Sequence, residues 1–415
     1  MGYGPLMGVQ QFRAKLEPSI DYLRARMRLR VWDVLGALWR PPQSFDSNFV
    51  LWNSPAEMSH IKSTSPLKPF LCQLEQITTI EPRTLFVIAD RGLLIETSVS
   101  NAYAARDPAL KRFFYLPFPL DYLKAKIRRR YRTDLKEVVA LGTAWPFNYF
   151  HFYRDFLPKI LLLEEANVDP SLPVIVPDEL FDQPFFQEAI QSERLSRWRY
   201  MSPRGDFIRS EKVIFCSSQQ FVLMDRTKSP EAQLLVHSSE GVTFLESPAT
   251  VLALLDLDES VPGATANRRV FLTRGPHRGR RLSNYEEIEP ILLERQFETI
   301  DTEGMTLREQ AQLFRECRYV IGLHGAGLTN IIYAHDHHLS LLQLRQPGEE
   351  HLVTDFALMC YSFGFDHREI FGITEPSLHG RSWLGRVDRD SPFRVDPTAL
   401  RSAVDEMLAA SPSDL

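Results

Sequence analysis

The segment from Tyr319 to Asn330, with the sequence YVIGLHGAGLTN, constrains the fold of this chain more than any other part of it. A short apolar, β-branched run ends at His324, and small residues and an apolar segment follow at once, which is typical of a strand, a tight turn and a helix. Such a turn leaves backbone N–H groups directed at one point, where the positive end of the helix dipole favours a phosphate. Gly325 and Gly327 would let a ligand approach the main chain, and His324 would add a side-chain donor.

The same turn has a second interpretation, because glycine turns join strands to helices in many α/β proteins without any ligand. The segment lacks the Gly-Lys-Ser/Thr of a Walker loop, and it lacks the third glycine of the usual dinucleotide-binding fingerprint. The choice between a phosphate site and a plain connection therefore depends on the rest of the chain.

The bulk properties indicate a soluble globular protein with more than one domain. The chain has 415 residues, 44% of them hydrophobic and 24% charged, and two domains are the default at this length. A net charge of -5 gives no general reason to expect a nucleic acid partner. No apolar run is long enough for a membrane span, and the N-terminus lacks the apolar core of a secretory signal. The scattered cysteines predict reduced, mostly buried thiols of a cytosolic protein: Cys72, Cys216, Cys317 and Cys360.

Beyond residue 141 the pattern alternates between strands and helices, which predicts a parallel sheet covered on both faces. In open sheets of this kind, ligands lie beyond the carboxyl ends of the strands. Two further strands are predicted upstream, at 84–89 and 92–96. The predicted later strands are 172–176, 213–215, 269–273, 297–300, 319–323 and 339–344, and the predicted helices are 149–166, 185–195, 247–255, 285–295 and 307–317.

Two basic segments near the N-terminus have a binding and a purely structural interpretation. Residues 12–40 predict an amphipathic helix with four closely spaced arginines, which could lie on an anionic membrane surface or pack on the body of the protein. Residues 124–132 form a basic run that could contact an anionic substrate or lipid headgroups, or could simply be solvated.

Three further groups contain residue types that are suited to anion binding, to acid–base chemistry or to metal binding. Arg274 follows a predicted strand and begins an arginine-rich loop that reaches Arg281 and Asn284, which favours anion binding over a solvated basic loop. His151 and Asp155 are four apart and share one helix face, as a base and its orienting partner or as a surface pair. The segment 335–338 has metal-ligand residue types, but adjacent residues cannot all converge on one ion, so it is interpreted as a loop.

The order of these segments resembles the catalytic domain of family 61 glycosyltransferases over residues 148–344. The resemblance rests on an Asn-Tyr-x-His segment that runs into a carboxylate and Leu-Pro, on a strand ending in arginine, on a Glu-Gln pair and on a Gly-x-His-Gly-Ala-Gly-Leu-x-Asn motif. Here these are Asn148 to His151 with Asp155, Leu157 and Pro158; Arg274 with Arg281 and Asn284; Glu309 and Gln310; and Gly322 to Asn330. Many relatives carry Glu in the strand after the last motif, where this chain has Gln343.

The resemblance implies an α/β fold of the GT-B-like type, with two Rossmann-like lobes whose parallel sheets flank a cleft. Residues 1–140 would hold an N-terminal extension and part of the acceptor lobe, 141–260 the rest of that lobe, and 261–415 the nucleotide-sugar lobe. It implies inverting transfer from a nucleotide sugar, usually UDP-linked, to a glycan or glycolipid, without a cofactor or essential metal. A role in capsular or other surface polysaccharide synthesis, in the cytoplasm or at the inner face of the plasma membrane, would follow.

The same resemblance assigns roles to individual residues. Asp155 is the expected general base, with His151 as the second choice. The donor would be bound by residues of the C-terminal lobe: Arg274, Arg281, Asn284, Gln310, His324, Gly325, Ala326, Gly327, Leu328 and Asn330. Of these, Asn284 and Asn330 would either fix the loop or touch the donor. A nucleotide-sugar-binding regulator or scaffold without activity is the alternative, and a Rossmann-like oxidoreductase is disfavoured by the missing third glycine.

Overall fold

The computed structural model describes residues 71–74, 78–80, 87–89, 92–94, 131–142, 147–216, 247–258, 266–274, 281–347, 355–373 and 392–410. The predicted helix at 12–40 and nearly all of the basic run at 124–132 lie outside these ranges. The described strands and helices alternate, so the α/β class is confirmed. Three thiols, those of Cys216, Cys317 and Cys360, are free and buried, as predicted.

The first sheet has eight strands and is mixed, whereas the sequence pattern predicted parallel strands. Strands β5 to β8 run parallel to their neighbours in the order β8-β5-β6-β7. The four preceding strands are antiparallel additions beyond β8, and the predicted pair near residue 90 forms the hairpin β3–β4. The bounds are β1 Leu71–Leu74, β2 Thr78–Ile80, β3 Val87–Ala89, β4 Gly92–Leu94, β5 Tyr131–Ala140, β6 Pro173–Ile175, β7 Arg199–Met201 and β8 Phe207–Cys216.

The long helix α1 connects β5 to β6 and contains a wider turn. It begins as an α-helix at Tyr149–His151, continues as a π-helix at Phe152–Phe156 and resumes as an α-helix at Leu157–Glu165. The Asn148 side chain caps its first turn by accepting from the amide of Phe150. The other helices of this unit are α2 Asp178–Phe181, α3 Pro184–Ala189, a 3-10 turn at Leu195–Arg197 and α4 Pro248–Ala253.

The second sheet is entirely parallel, with five strands in the order β10-β9-β11-β12-β13. The chain moves outward from β9 to β10 and then returns past β9 to β11, so the direction of winding reverses between β9 and β11. The strands are β9 Arg268–Leu272, β10 Glu298–Ile300, β11 Cys317–Leu323, β12 Ser340–Arg345 and β13 Asp366–Phe371. The helices are α5 Tyr285–Glu294, α6 Leu307–Arg315, a 3-10 helix at Ala326–Ala334, α7 Asp355–Phe363 and α8 Pro397–Ala409.

Helices cover both faces of this sheet. On one face α5 and α8 pack over Phe271 and Ile321. On the other face the 3-10 helix, α6 and α7 share a single hydrophobic core with α1 and the first sheet, so both sheets contribute to that core. The two carboxylate oxygens of Glu188 on α3 also accept from the amide of Leu307, each at 2.9 Å, and thereby cap α6 of the second unit.

Candidate functional site

The residues predicted to bind an anion meet at the point where the second sheet reverses its winding. Arg274 lies two residues beyond the end of β9, and Gly325 lies two residues beyond the end of β11. A Cβ atom on Gly325 would be 3.2 Å from Cζ and 3.3 Å from Nη2 of Arg274, so the guanidinium group lies directly against this glycine. In open parallel sheets ligands bind at such switch points, so this location is the candidate site.

The turn presents three consecutive amides beside this guanidinium group. Gly325 has an extended backbone, with φ of 168° and ψ of 166°. Within the described part of the chain, the amides of Gly325, Ala326 and Gly327 have no acceptor. The flanking amides are used internally: His324 donates to the carbonyl of Leu344 at 2.9 Å, and Leu328 donates to the carbonyl of Gly325 at 3.0 Å. The expected amide cluster is therefore confined to residues 325–327.

The helix after the turn is a 3-10 helix of nine residues instead of the α-helix that the apolar pattern suggested. Its residues from Leu328 to Ala334 are all buried, so packing determines its geometry. The Leu328 side chain is fully buried, and a Cβ atom on Gly322 would lie 2.7 Å from its Cδ2 atom. Leu328 thus packs the 3-10 helix against β11.

A hydrogen bond from Gln343 fixes the proton position on His324. The Nε2 amide of Gln343 donates to Nδ1 of His324 at 2.6 Å, and its Oε1 atom accepts from Nε2 of His367 at 3.1 Å. Because Nδ1 of His324 is an acceptor, its Nε2 atom carries the proton and is the donor nitrogen of the neutral ring. The ring also packs edge-on against Phe356, with centroids 5.5 Å apart.

Asn330 and Gln310 lie in a buried network beneath the turn. The Nδ2 amide of Asn330 donates to Oε1 of Gln310 at 2.7 Å, and its Oδ1 atom accepts from the hydroxyl of Tyr149 at 2.8 Å. The hydroxyl of Tyr149 also contacts those of Tyr153 and Tyr333. These hydrogen bonds join α1, α6 and the 3-10 helix. Because Asn330 is fully buried, they keep both amide side chains within the protein.

Asn284 and Arg281 occupy the far end of the arginine loop. The Asn284 side chain donates to the carbonyl of Val395 at 2.8 Å and accepts from its amide at 3.1 Å, which ties the start of α5 to the segment before α8. The carbonyl of Arg281 accepts from the amide of Phe393 at 3.0 Å. Residues 275–280 between Arg274 and Arg281 lie outside the described ranges.

His151 and Asp155 form a buried pair, so their interpretation as a helix-surface pair is wrong. Nδ1 of His151 lies 2.5 Å from Oδ2 of Asp155, and Nε of Arg154 lies 3.5 Å from Oδ1. Burial alone would raise the pKa of Asp155, but Arg154, His151 and Lys159 outweigh it and hold the pKa below its ordinary value. Burial also lowers the pKa of Lys159 to about 8, although Asp155 opposes that shift.

An aromatic contact brings this pair toward the glycine turn. Phe150, beside His151 on α1, packs edge-on against Phe356 with centroids 5.5 Å apart, and Phe356 in turn contacts His324. Phe356 of α7 therefore lies between Phe150, the neighbour of His151, and His324 at the glycine turn.

Asp355, the first residue of α7, is a charged neighbour that no sequence motif identified. Among the described residues, no hydrogen-bond partner reaches its buried Oδ1 atom. Burial raises the pKa of Asp355, although the positive charges of Arg154 and His151 act in the opposite direction. A buried carboxylate oxygen beside His151 is available to a hydroxyl donor from a ligand. Only an acidic residue at the start of a helix could have pointed to it in the sequence, and that signal is weak.

No metal centre is formed by the residues that the structure describes: nowhere do three His, Cys, Asp or Glu side chains come together as ligands. The segment 335–338 lies in the connection after the 3-10 helix, where His337 bonds the carbonyl of Cys317 at 2.8 Å. None of the described helices combines the length and hydropathy of a membrane-spanning segment.

Comparison with known families agrees with the predicted resemblance. Residues 149–340 match the family described as Glycosyltransferase 61. The matched segment begins at the first residue of α1 and ends at the first residue of β12, so it includes the His151–Asp155 pair, Arg274 and the glycine turn. The match supports assignment of this region to that family and supports a glycosyltransferase activity. A search among curated proteins finds no match to the chain.

Proposed function

We propose that this protein is an inverting glycosyltransferase that moves a sugar from a nucleotide sugar, UDP-linked in the first instance, to a glycan or glycolipid acceptor. We assign it a GT-B-like arrangement in which the second sheet binds the donor and the first unit holds the acceptor, and a role in surface polysaccharide synthesis. The observation that carries the proposal is the contact between the Arg274 guanidinium group and Gly325, beside three amides without an acceptor among the described residues.

We call Arg274 together with the amides of Gly325 to Gly327 the cradle. The chemistry of a nucleotide-sugar donor explains why this arrangement is useful. When the bond between the anomeric carbon and the β-phosphate breaks, negative charge develops on the departing diphosphate. Hydrogen-bond donors that are already in place stabilise the transition state, where this charge develops, more than they stabilise the bound substrate. They therefore lower the barrier. Arg274 would pair with phosphate oxygens, while the amides of Gly325 to Gly327 and Nε2–H of His324 would donate to them. A reaction of this kind needs no metal ion.

Inversion also requires a base for the acceptor hydroxyl. We assign this role to His151, with Asp155 orienting its ring. The lowered pKa of Asp155 makes it a weak base, whereas its carboxylate accepts from Nδ1–H of His151 and so makes Nε2 the basic nitrogen of that ring. The hydroxyl oxygen would bond to the anomeric carbon as the proton passes to His151 and the diphosphate leaves. This assignment reverses the order of preference that the motif alone suggested.

A nucleotide screen tests the proposal. Thermal unfolding is measured with UDP, GDP and CMP and with their sugars, because a ligand at a hundred times its dissociation constant stabilises by about 2.7 kcal/mol. We expect a nucleoside diphosphate to raise the melting temperature of the wild type, and Arg274→Ala and His324→Ala to reduce that increase. Absence of stabilisation by every nucleotide would refute donor binding.

Slow donor hydrolysis separates an enzyme from the alternative, a binding protein without activity. The assay follows release of the nucleoside diphosphate from the sugar donor that stabilises the protein most. A transferase releases it slowly without an acceptor and faster with one. Stabilisation by a nucleotide sugar together with no release under either condition would support a regulator or scaffold instead.

The cellular setting is proposed from the sequence alone. We propose a cytoplasmic protein that contacts the anionic inner membrane surface through the basic residues 12–40. Cosedimentation with vesicles that contain anionic lipid, compared with neutral vesicles, tests this. Equal recovery with both vesicle types would remove the membrane contact from the proposal.

A further inference from the structure

Two neighbouring strands, β12 buried throughout and β13 only partly buried, place an uncommon polar series behind His324. β12 and β13 are parallel neighbours, with Gln343 in register with Glu369 and Arg345 in register with Phe371. The side chains alternate along each strand, so Gln343 and Arg345 share one face with His367 and Glu369. Gln343 is fully buried and Arg345 is 1% exposed, which is rare for such side chains unless they are hydrogen-bonded.

The contacts form a chain of ion pairs and hydrogen bonds that ends at His324 beside the glycine turn. We call this chain the relay. Glu369 lies 3.3 Å from Nη1 of Arg345 and 3.8 Å from Nε2 of His367. Nε2 of His367 donates to Oε1 of Gln343, and Nε2 of Gln343 donates to Nδ1 of His324. Because an amide nitrogen donates and an amide oxygen accepts, Gln343 in this orientation links an accepting Nδ1 of His324 to a donating Nε2 of His367.

The relay opposes a proton on Nδ1 of His324. Adding that proton would place an N–H against the N–H of Gln343 and would leave two donors facing each other in a partly buried position. A carboxylate at position 343 would do the opposite, since it would accept from Nδ1–H and stabilise the imidazolium form.

We propose that Gln343 is a positioning residue that holds His324 as a neutral Nε2–H donor, so that this histidine binds a diphosphate in the same way across the physiological pH range. The proposal rests on the proposed function for the identity of the anion, but the proton position itself does not depend on any ligand.

The first test measures UDP affinity by calorimetry at pH 6 and pH 8 for the wild type and Gln343→Glu. In the variant, the protonated ring of His324 balances the negative charge of the glutamate at pH 6. At pH 8 the ring is neutral and the charge of the glutamate is not balanced. We expect its affinity to be within about threefold of the wild type at pH 6 and about tenfold weaker or more at pH 8, because a buried negative charge then lies behind the diphosphate. Using the wild type as reference removes the effect of the ionisation of UDP itself.

Two controls separate this effect from a structural one. Gln312→Glu makes the same chemical change at an exposed position of α6 and should follow the wild type at both pH values. In a His324→Ala background, Gln343→Glu should add no pH dependence. The titratable or charged groups on the elements packed around the histidine are the same in all these variants: His151, Arg154, Asp155, Arg274, Arg345, Asp355, His367 and Glu369.

A second measurement does not require a nucleotide. Nitrogen NMR of histidine-labelled, unliganded protein, with His324→Ala to assign the signal, reports which ring nitrogen carries the proton. We expect the proton on Nε2 in the wild type and protonation of both nitrogens at pH 6 in Gln343→Glu. A wild-type proton on Nδ1, or an equal loss of UDP affinity in Gln343→Glu at both pH values, would overturn the proposal. Failure of UDP to bind the wild type would count against the proposed donor alone, and the NMR result would still decide the role of Gln343.

Discussion

Replacement of Gly325 by alanine is the sharpest perturbation of the cradle, because it adds one methyl group at a known distance from the guanidinium group. The new Cβ atom would lie 3.2, 3.3 and 3.5 Å from Cζ, Nη2 and Nε of Arg274. Carbon and nitrogen atoms pack best at about 3.5–4.0 Å, so Arg274 must retreat by roughly half an ångström. The extended backbone of Gly325, with φ of 168°, accepts alanine without strain, and the fold should therefore be retained.

The expected cost is one displaced charge-assisted contact. Hydrogen bonds to charged groups contribute about 1.5–3 kcal/mol, so Gly325→Ala should weaken nucleoside diphosphate binding by roughly tenfold to a hundredfold. Titration calorimetry measures the affinity, and chemical denaturation measures the stability, which should change by no more than about 0.5 kcal/mol.

Two further variants make the result interpretable. Gly327→Ala is the matched control, because its Cβ atom would meet Leu272 Cδ2 at 3.3 Å and Thr302 Oγ1 at 3.9 Å instead of Arg274. In an Arg274→Ala background, the effect of Gly325→Ala should largely disappear. Wild-type affinity in Gly325→Ala, or an undiminished loss in the double variant, would refute the reasoning.

Three other predictions concern the groups around α1. His151→Gln and Asp155→Asn should each abolish most sugar transfer while nucleotide affinity is kept; loss of both in calorimetry would show a structural role for the pair. Tyr149→Phe should lower the free energy of unfolding by about 1–3 kcal/mol, because Oδ1 of Asn330 loses its buried donor, and urea denaturation that shows no change would contradict this. Lys159 has a folded-state pKa of about 8, below its unfolded value near 10.5. Between these pH values the unfolded chain therefore binds more protons than the folded protein, so burial of the lysine lowers the stability least at high pH. Relative to Lys159→Met, the wild type should therefore gain about 3 kcal/mol of stability between pH 8 and pH 10.5, and a constant difference across that range would disprove the lowered pKa.

The sequence predicted β9 to β12 and helices α5 and α6 closely, because local signals determine them, but it did not predict β13 or α7. Thr306, for example, caps α6 together with Glu309, and the apolar periodicity of that helix matches its buried face. The strand before the glycine turn is equally clear, since β-branched Val320 and Ile321 lie in an apolar run whose last four residues are buried.

Features set by distant contacts were missed. The 3-10 helix Ala326–Ala334 has the composition of an α-helix, and its tighter winding follows from burial against β11 and α1. The π-helix at Phe152–Phe156 is likewise invisible in the apolar pattern. The first sheet is mixed because β1 to β4 add to β8, and the order in which strands pair is not encoded in the periodicity of any one strand.

The candidate site was predicted in part. The turn and Arg274 were expected to meet because both follow parallel strands, and they do. Asn330 and Gln310 were expected near the donor, yet their amide side chains pair with each other in the core. Spacing alone could not reveal the burial of the His151–Asp155 pair, because burial depends on which helices cover α1.

The central claim is that Arg274 and the amides of Gly325 to Gly327 hold the diphosphate of a sugar nucleotide. A crystal structure with the nucleoside diphosphate that stabilises the protein most tests it directly. The claim predicts β-phosphate oxygens within about 2.7–3.2 Å of the guanidinium group and of at least one of these amides. Phosphates bound elsewhere, with the turn and Arg274 left untouched, would contradict it.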